Sequence, residues 1–175
     1  MGLRACIVVC ATSFLLGILF THWIADSLTL WKAPITNEHL WTSAAYYSLL
    51  ARVPAWLGWF LASVVATGAI TILWSLGDGA AGNLMFDGGS IFLYGTAVTV
   101  YFYKVLPDFT QTFTRIPAPP LPNATPGSFT FPSKLKDSVL NLASANLVCS
   151  VALTGVLALQ AGRWWAELGD SDDED

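Results

Sequence analysis

Three long stretches without a charged residue, and one shorter one, divide this chain. Residues 5–25 lie between Arg4 and Asp26, 53–77 between Arg52 and Asp78, and 138–162 between Asp137 and Arg163; the shorter run, 88–103, ends at Lys104. At ~1.5 Å of rise per residue, the three long runs each exceed the ~30 Å hydrocarbon core of a bilayer. None carries the polar stripe that a soluble helix of such length needs. The short run reaches a useful length if Lys104 snorkels and the helix runs to Leu106, where Pro107 is expected to end it. The pattern predicts an all-α membrane protein with four transmembrane helices, at about 5–25, 53–76, 88–106 and 138–162.

The connections differ from one another. In the first, residues 26–52, the segment HLWTSAAYYSLLAR predicts a short interfacial helix between Pro34 and Pro54. The second, GDGAAGNLMFDGG (77–89), holds five glycines and reads as a turn-rich connector. The third, 107–137, is the proline-rich loop; prolines at 117, 119, 120, 122, 126 and 132 deny it helix. A cleaved signal peptide at the start is disfavoured, because its apolar run is longer than a signal core and no small-x-small site follows. Residues 1–168 thus form one four-helix transmembrane domain with both termini on one side, and 169–175 form an acidic tail.

Composition agrees. The chain is 54% hydrophobic and 11% charged, with a mean hydropathy of +0.57, against roughly 25% charged residues in soluble domains. Its net charge of −4 is a property of the end, since five of twelve acidic residues fall in the last six positions. The eight Lys and Arg residues are scattered singly, so no nucleic-acid partner is indicated. Cys6, Cys10 and Cys149 all fall in apolar runs, where they read as small fillers of a helix surface. Small residues recur at every fourth position as Gly58-Ala62-Ala66, Ser63-Thr67-Thr71-Ser75 and Ser150-Thr154-Ala158-Gly162, which predicts close helix packing.

Catalytic chemistry finds little support. The predicted spans lack a buried acid, base or nucleophile with its partner, and no GxSxG, HExxH, P-loop or CxxC pattern occurs, so neither an enzyme nor a cofactor is expected. His22, Asp26, Glu38 and His39 near the first loop could be imagined around a metal, but polar groups at a helix end are far commoner. Uncharged polar groups are more telling. Asn141, Asn146, Ser150, Thr154 and Gln160 lie in the last predicted span, with His22 and Trp23 at the far end of the first. An amide in lipid needs a partner. These residues are therefore either internal glue, worth ~1 kcal/mol per bond, or a face offered to unassembled helices of another protein. In the tail, Asp172-x-Glu174 matches a di-acidic export signal, and acidic runs also occur for solubility alone.

The order of elements, with SFLLGILF in the first span, a glycine-broken connector and ASANLVCSVALTGVLALQAGRWWAE in the last, resembles the fungal packaging chaperones for amino-acid permeases, of the superhigh-histidine-resistance type. The resemblance covers roughly residues 12–167 and is sharpest at 143–146 and 160–167. It implies a non-enzymatic, multi-pass protein of the endoplasmic-reticulum membrane with cytosolic termini. Such a protein keeps newly inserted permeases from aggregating and aids their loading into COPII vesicles, with permeases and coat components as partners. In the family a hydrophilic cytosolic tail engages the coat; here that tail is short. The positive-inside rule points the other way. Lys32, Arg52, Lys104, Arg115, Lys134 and Lys136 lie on the loop side, and Arg4 and Arg163 on the terminal side. Asn123-Ala124-Thr125 is a sequon usable only if the third loop is lumenal, with Pro126 behind it lowering occupancy. An accessory subunit of a membrane transport complex is the alternative function.

Overall fold

The structure is a computed structural model that describes residues 3–77, 81–116 and 131–172. Every regular element among the described residues is helical. α1 (Leu3–Leu30), α2 (Asn37–Leu50), α3 (Ala55–Gly77) and α4 (Ala81–Val100) are followed by a π-helical turn (Tyr101–Val105), α5 (Leu106–Gln111), a 3-10 turn (Phe113–Arg115) and α6 (Ser133–Asp172). The sequon and the proline run at 117–130 lie outside the described residues.

Among the described residues, three helices are long and apolar enough to cross a membrane: Leu3–Leu30, Ala55–Gly77 and Ser133–Glu167. The segment expected to be a third span is helical, but as α4 it does not reach that standard among the described residues. Two boundaries depart from expectation. The glycine-rich connector is helix from Ala81 onward, so Gly82, Gly88 and Gly89 sit inside α4. Pro107 also fails to end the helix. Its ring would collide with the carbonyl four residues back in a regular α-helix. Here the preceding π-turn widens the backbone, and Leu106 donates its N–H five residues back to Tyr101. The helix then continues to Gln111.

α6 is the central post. It packs against α1 and α4, while α3 fills the space between α1 and α4. In lipid, apolar burial supplies little drive for association, so close fit and polar links must hold such a bundle. The fit of α4 to α6 is a ladder of large against small. A Cβ at Gly155 would sit 2.7 Å from Leu93, one at Gly89 2.8 Å from Leu159, and one at Gly162 3.1 Å from Phe86. The order of these pairs makes the two helices antiparallel. Between α3 and α4, Gly68 leaves room for Tyr94, whose hydroxyl donates to the Val65 carbonyl at 3.1 Å.

The predicted small-residue rows are mostly elsewhere. Gly58, Ala62 and Ala66 are exposed, and nothing lies within 4 Å of a Cβ at Gly58. Ser63, Thr67, Thr71, Ser150 and Thr154 turn their hydroxyls back onto carbonyls of their own helices. A hydroxyl that can reach the carbonyl three or four residues back needs no neighbouring helix.

α2 stands on the end of the bundle away from the chain termini, packed on α1, α5 and α6. Thr36 caps it, its hydroxyl accepting the His39 N–H at 3.3 Å. Its Leu40, Ala44 and Tyr47 join Val105, Phe113, Val139 and Leu142 in one apolar cluster, and a second cluster around Ile72, Tyr94, Leu153 and Val156 fills the middle.

Candidate functional site

Among the described residues two acidic side chains lie buried between helices, and each collects the polar residues of a different end of the bundle. Asp26 and Asp87 are 4% and 1% exposed. The sequence reading placed both in connections. The structure corrects this, because α1 runs on through Asp26 to Leu30 and α4 begins six residues before Asp87.

Near the chain termini, α3, α4 and α6 meet at Asp87. Arg163 Nη1 donates to both of its carboxylate oxygens, at 3.0 and 2.9 Å, and also to Ser75 Oγ at 2.8 Å. Ser75 in turn donates to Asp87 Oδ2 at 2.7 Å. Gln160 donates to Asp87 Oδ1 at 3.3 Å and to Ser90 at 3.0 Å. Gln160 and Arg163 are three apart, so both project from one face of α6. Arg163 is therefore the counter-ion of a buried carboxylate as well as the neighbour of the exposed Trp165. Its Nε reaches Glu167 at 2.9 Å.

At the other end, α1, α2 and α6 meet at Asp26. The Tyr47 hydroxyl donates to Asp26 Oδ1, and Asn146 Nδ2 donates to Oδ2 at 3.2 Å. Ser43 ties α2 to the Ala25 carbonyl at 3.0 Å, and His22 Nδ1 meets the Tyr46 hydroxyl at 3.0 Å. Burial, helped by the negative Asp26 beside it, pushes the Tyr47 phenol well above its ordinary pKa, so it remains a donor. The carbonyl oxygen of Asn146, in a residue only 2% exposed, has no hydrogen-bond partner among the described residues.

This second network borders a groove of about 440 Å³ between α1 and α6. Leu16, Phe20 and Trp23 form one wall, Leu147, Ser150 and Thr154 the other, with Asp26 and Asn146 also on its surface. The structure thus brings Trp23, Asn146, Ser150 and Thr154, four of the residues singled out from sequence, to one place. It does not bring the others there. His22 faces α2, Gln160 belongs to the Asp87 network, and Asn141 is exposed on α6. Asp172 ends α6, and Glu174 lies outside the described residues. Tyr47 was not among the sequence candidates, and Asp26 entered only as one of four residues that could be imagined around a metal. An aspartate four residues beyond His22, at the edge of an apolar run, was the available signal.

Glu38 and His39 sit on the first turn of α2, and no group of three His, Cys, Asp or Glu side chains converges among the described residues. Cys6 and Cys10 are exposed, whereas Cys149 is buried with its thiol 3.4 Å from the Ala97 carbonyl.

Neither curated proteins nor solved structures yield a match to the chain. A family model does. Its description is SHR3 chaperone, ER membrane protein SH3, and it matches residues 1–175. The apolar helices and the full-length match agree, and the chain belongs to this family of endoplasmic-reticulum membrane chaperones.

Proposed function

We propose that this protein holds newly inserted amino-acid permeases against aggregation in the endoplasmic-reticulum membrane and so prepares them for packing into COPII vesicles. The observation that carries this reading is a family match over the whole chain joined to an intramembrane groove with an unmatched acceptor. A client helix whose native neighbours have not arrived exposes polar groups to lipid, at a cost of several kcal/mol for each one left unmatched. A groove with polar groups of its own lowers that cost. Release needs no energy source, because native packing of the client outcompetes the groove once it forms. Deleting the protein and imaging amino-acid permeases tests the reading; their normal arrival at the plasma membrane would refute it.

In this reading α4 with its π-turn is the fourth crossing. Its polar residues support that, since Asp87 and Ser90 face Arg163 and Gln160 instead of lipid. α2 then lies at the lumenal surface, and both termini are cytosolic. Changing Pro126→Ala removes the residue that hinders the Asn123 sequon. A glycan on Asn123 in that variant is the expected result; its absence would invert the topology. Coat contact is assigned to Asp172 and Glu174, and changing both to Ala should slow permease exit without aggregating the permeases.

A further inference from the structure

We propose that the α1–α6 groove selects its occupant by a hydrogen-bond donor: it takes a client transmembrane helix carrying an N–H or O–H group at the depth of Asn146. This rests on the client-holding reading above and narrows it to one chemistry.

The orientation of Asn146 is determined by its neighbours. Its Nδ2 donates to Asp26 Oδ2, and Tyr47 occupies Oδ1. Turning the amide over would set its carbonyl against the carboxylate, so the carbonyl is the face left without a partner. A buried acceptor in that state keeps its full desolvation penalty with nothing to offset it. The nearest hydroxyl along α6, Ser150, does not relieve it, because that group is committed to the Asn146 main-chain carbonyl at 2.9 Å. Thr154 is likewise turned to Ser150 O at 2.8 Å. Both helices therefore present acceptors here, in a groove edged by the exposed Phe20, Trp23 and Leu147. Acyl chains can fill the apolar walls but carry no donor. A helix bearing Ser, Thr, Asn or Gln supplies both the apolar surface and the missing hydrogen.

The test uses the full chain in endoplasmic-reticulum microsomes, with a photoreactive amino acid replacing Phe20. The probes are single-span Leu/Ala segments, either wholly apolar or with one Gln at the matching depth, or with the Gln moved two turns along. The matching Gln segment should be captured about three- to tenfold more than the other two, the range expected of one hydrogen bond in a membrane. Asn146→Leu should bring all three to parity. If that variant loses its helical circular-dichroism signal, Leu147→Trp decides. It fills the groove, leaves the Asp26–Asn146 contact in place, and should remove the preference. Equal capture of the three segments by the unaltered chain would overturn the proposal. So would a preference that survives both substitutions, or capture of a sterol or phospholipid alone. Failure here with permeases still aggregating in the deletion strain refutes the donor selection only. Permeases that mature normally without the protein refute the client-holding reading itself.

Discussion

Removing Arg163 should be among the most damaging single changes to the bundle, and the Asp87 network gives its magnitude. The Asp87 carboxylate has four donor contacts, two from Arg163 and one each from Ser75 and Gln160. Arg163→Met keeps most of the stem volume but leaves the carboxylate with two neutral donors at 1% exposure. Breaking a buried pair from one side costs about 3–5 kcal/mol. The Arg163 side chain is 14% exposed, so water can approach the gap it leaves, which argues for the lower end, about 3 kcal/mol. For a chain of this size each 1 kcal/mol moves Tm by about 2–4 °C, so a fall of about 6–12 °C is expected. The assay is thermal unfolding of the purified protein in mild detergent, followed by tryptophan fluorescence. Asp87→Asn together with Arg163→Met should lose clearly less than the two single changes summed, with a coupling of about 1.5 kcal/mol or more. Additivity to within about 0.5 kcal/mol would show that the pair is not a unit, and the account of α4 as held by α6 through charge would fall with it.

Other consequences can be checked in the same preparation. Gly68→Ala places a Cβ 2.5 Å from the buried Tyr94 hydroxyl and should destabilise by about 1–3 kcal/mol, whereas Gly58→Ala meets nothing within 4 Å and should stay within about 0.5 kcal/mol. Tyr47→Phe removes the donor to Asp26 Oδ1 and should cost about 1–3 kcal/mol, read as a lower Tm. Because the folded-state pKa of Tyr47 is raised, the stability linked to its protonation is complete below about pH 10 and is lost as pH climbs above the unfolded value. Unfolding midpoints measured from pH 8 to 11 should therefore fall above about pH 10, and less steeply in Tyr47→Phe.

The helices were legible because long apolar runs have few other uses; their ends were less so. Asp26 closed an apolar run and was read as the start of a loop. Its true position depends on Tyr47 and Asn146, which lie 21 and 120 residues away, and no local pattern announces them. The glycines at 82, 88 and 89 suggested turns by their ordinary propensity. Gly89 is instead helical, and it is a glycine where Leu159 occupies the space a side chain would take; small residues at such crossings are the rule in membranes. Asp87 was hidden among those glycines, and its partner Arg163 stood out only as the charge that ends the last apolar run. Asn146 was found by the opposite route, as an amide in a span that demanded a partner. The sequence reading could say that a partner was needed, but not that only one of its two polar atoms would find one.

The π-turn at Tyr101–Val105 sets the phase of everything after it. One extra residue in a helical turn rotates the following segment by about 100°. That rotation is what brings Phe109 and Phe113 to Tyr47, with ring centroids 6.0 and 5.4 Å away. Deleting a single residue from the turn would shorten the chain negligibly, yet it would turn both rings off Tyr47 and set Pro107 against a regular helix. In this segment, then, residue count matters more than the identity of the exposed residues: side chains at 101–104 can be exchanged far more freely than their number, while Val105 stays fixed by its place in the apolar cluster.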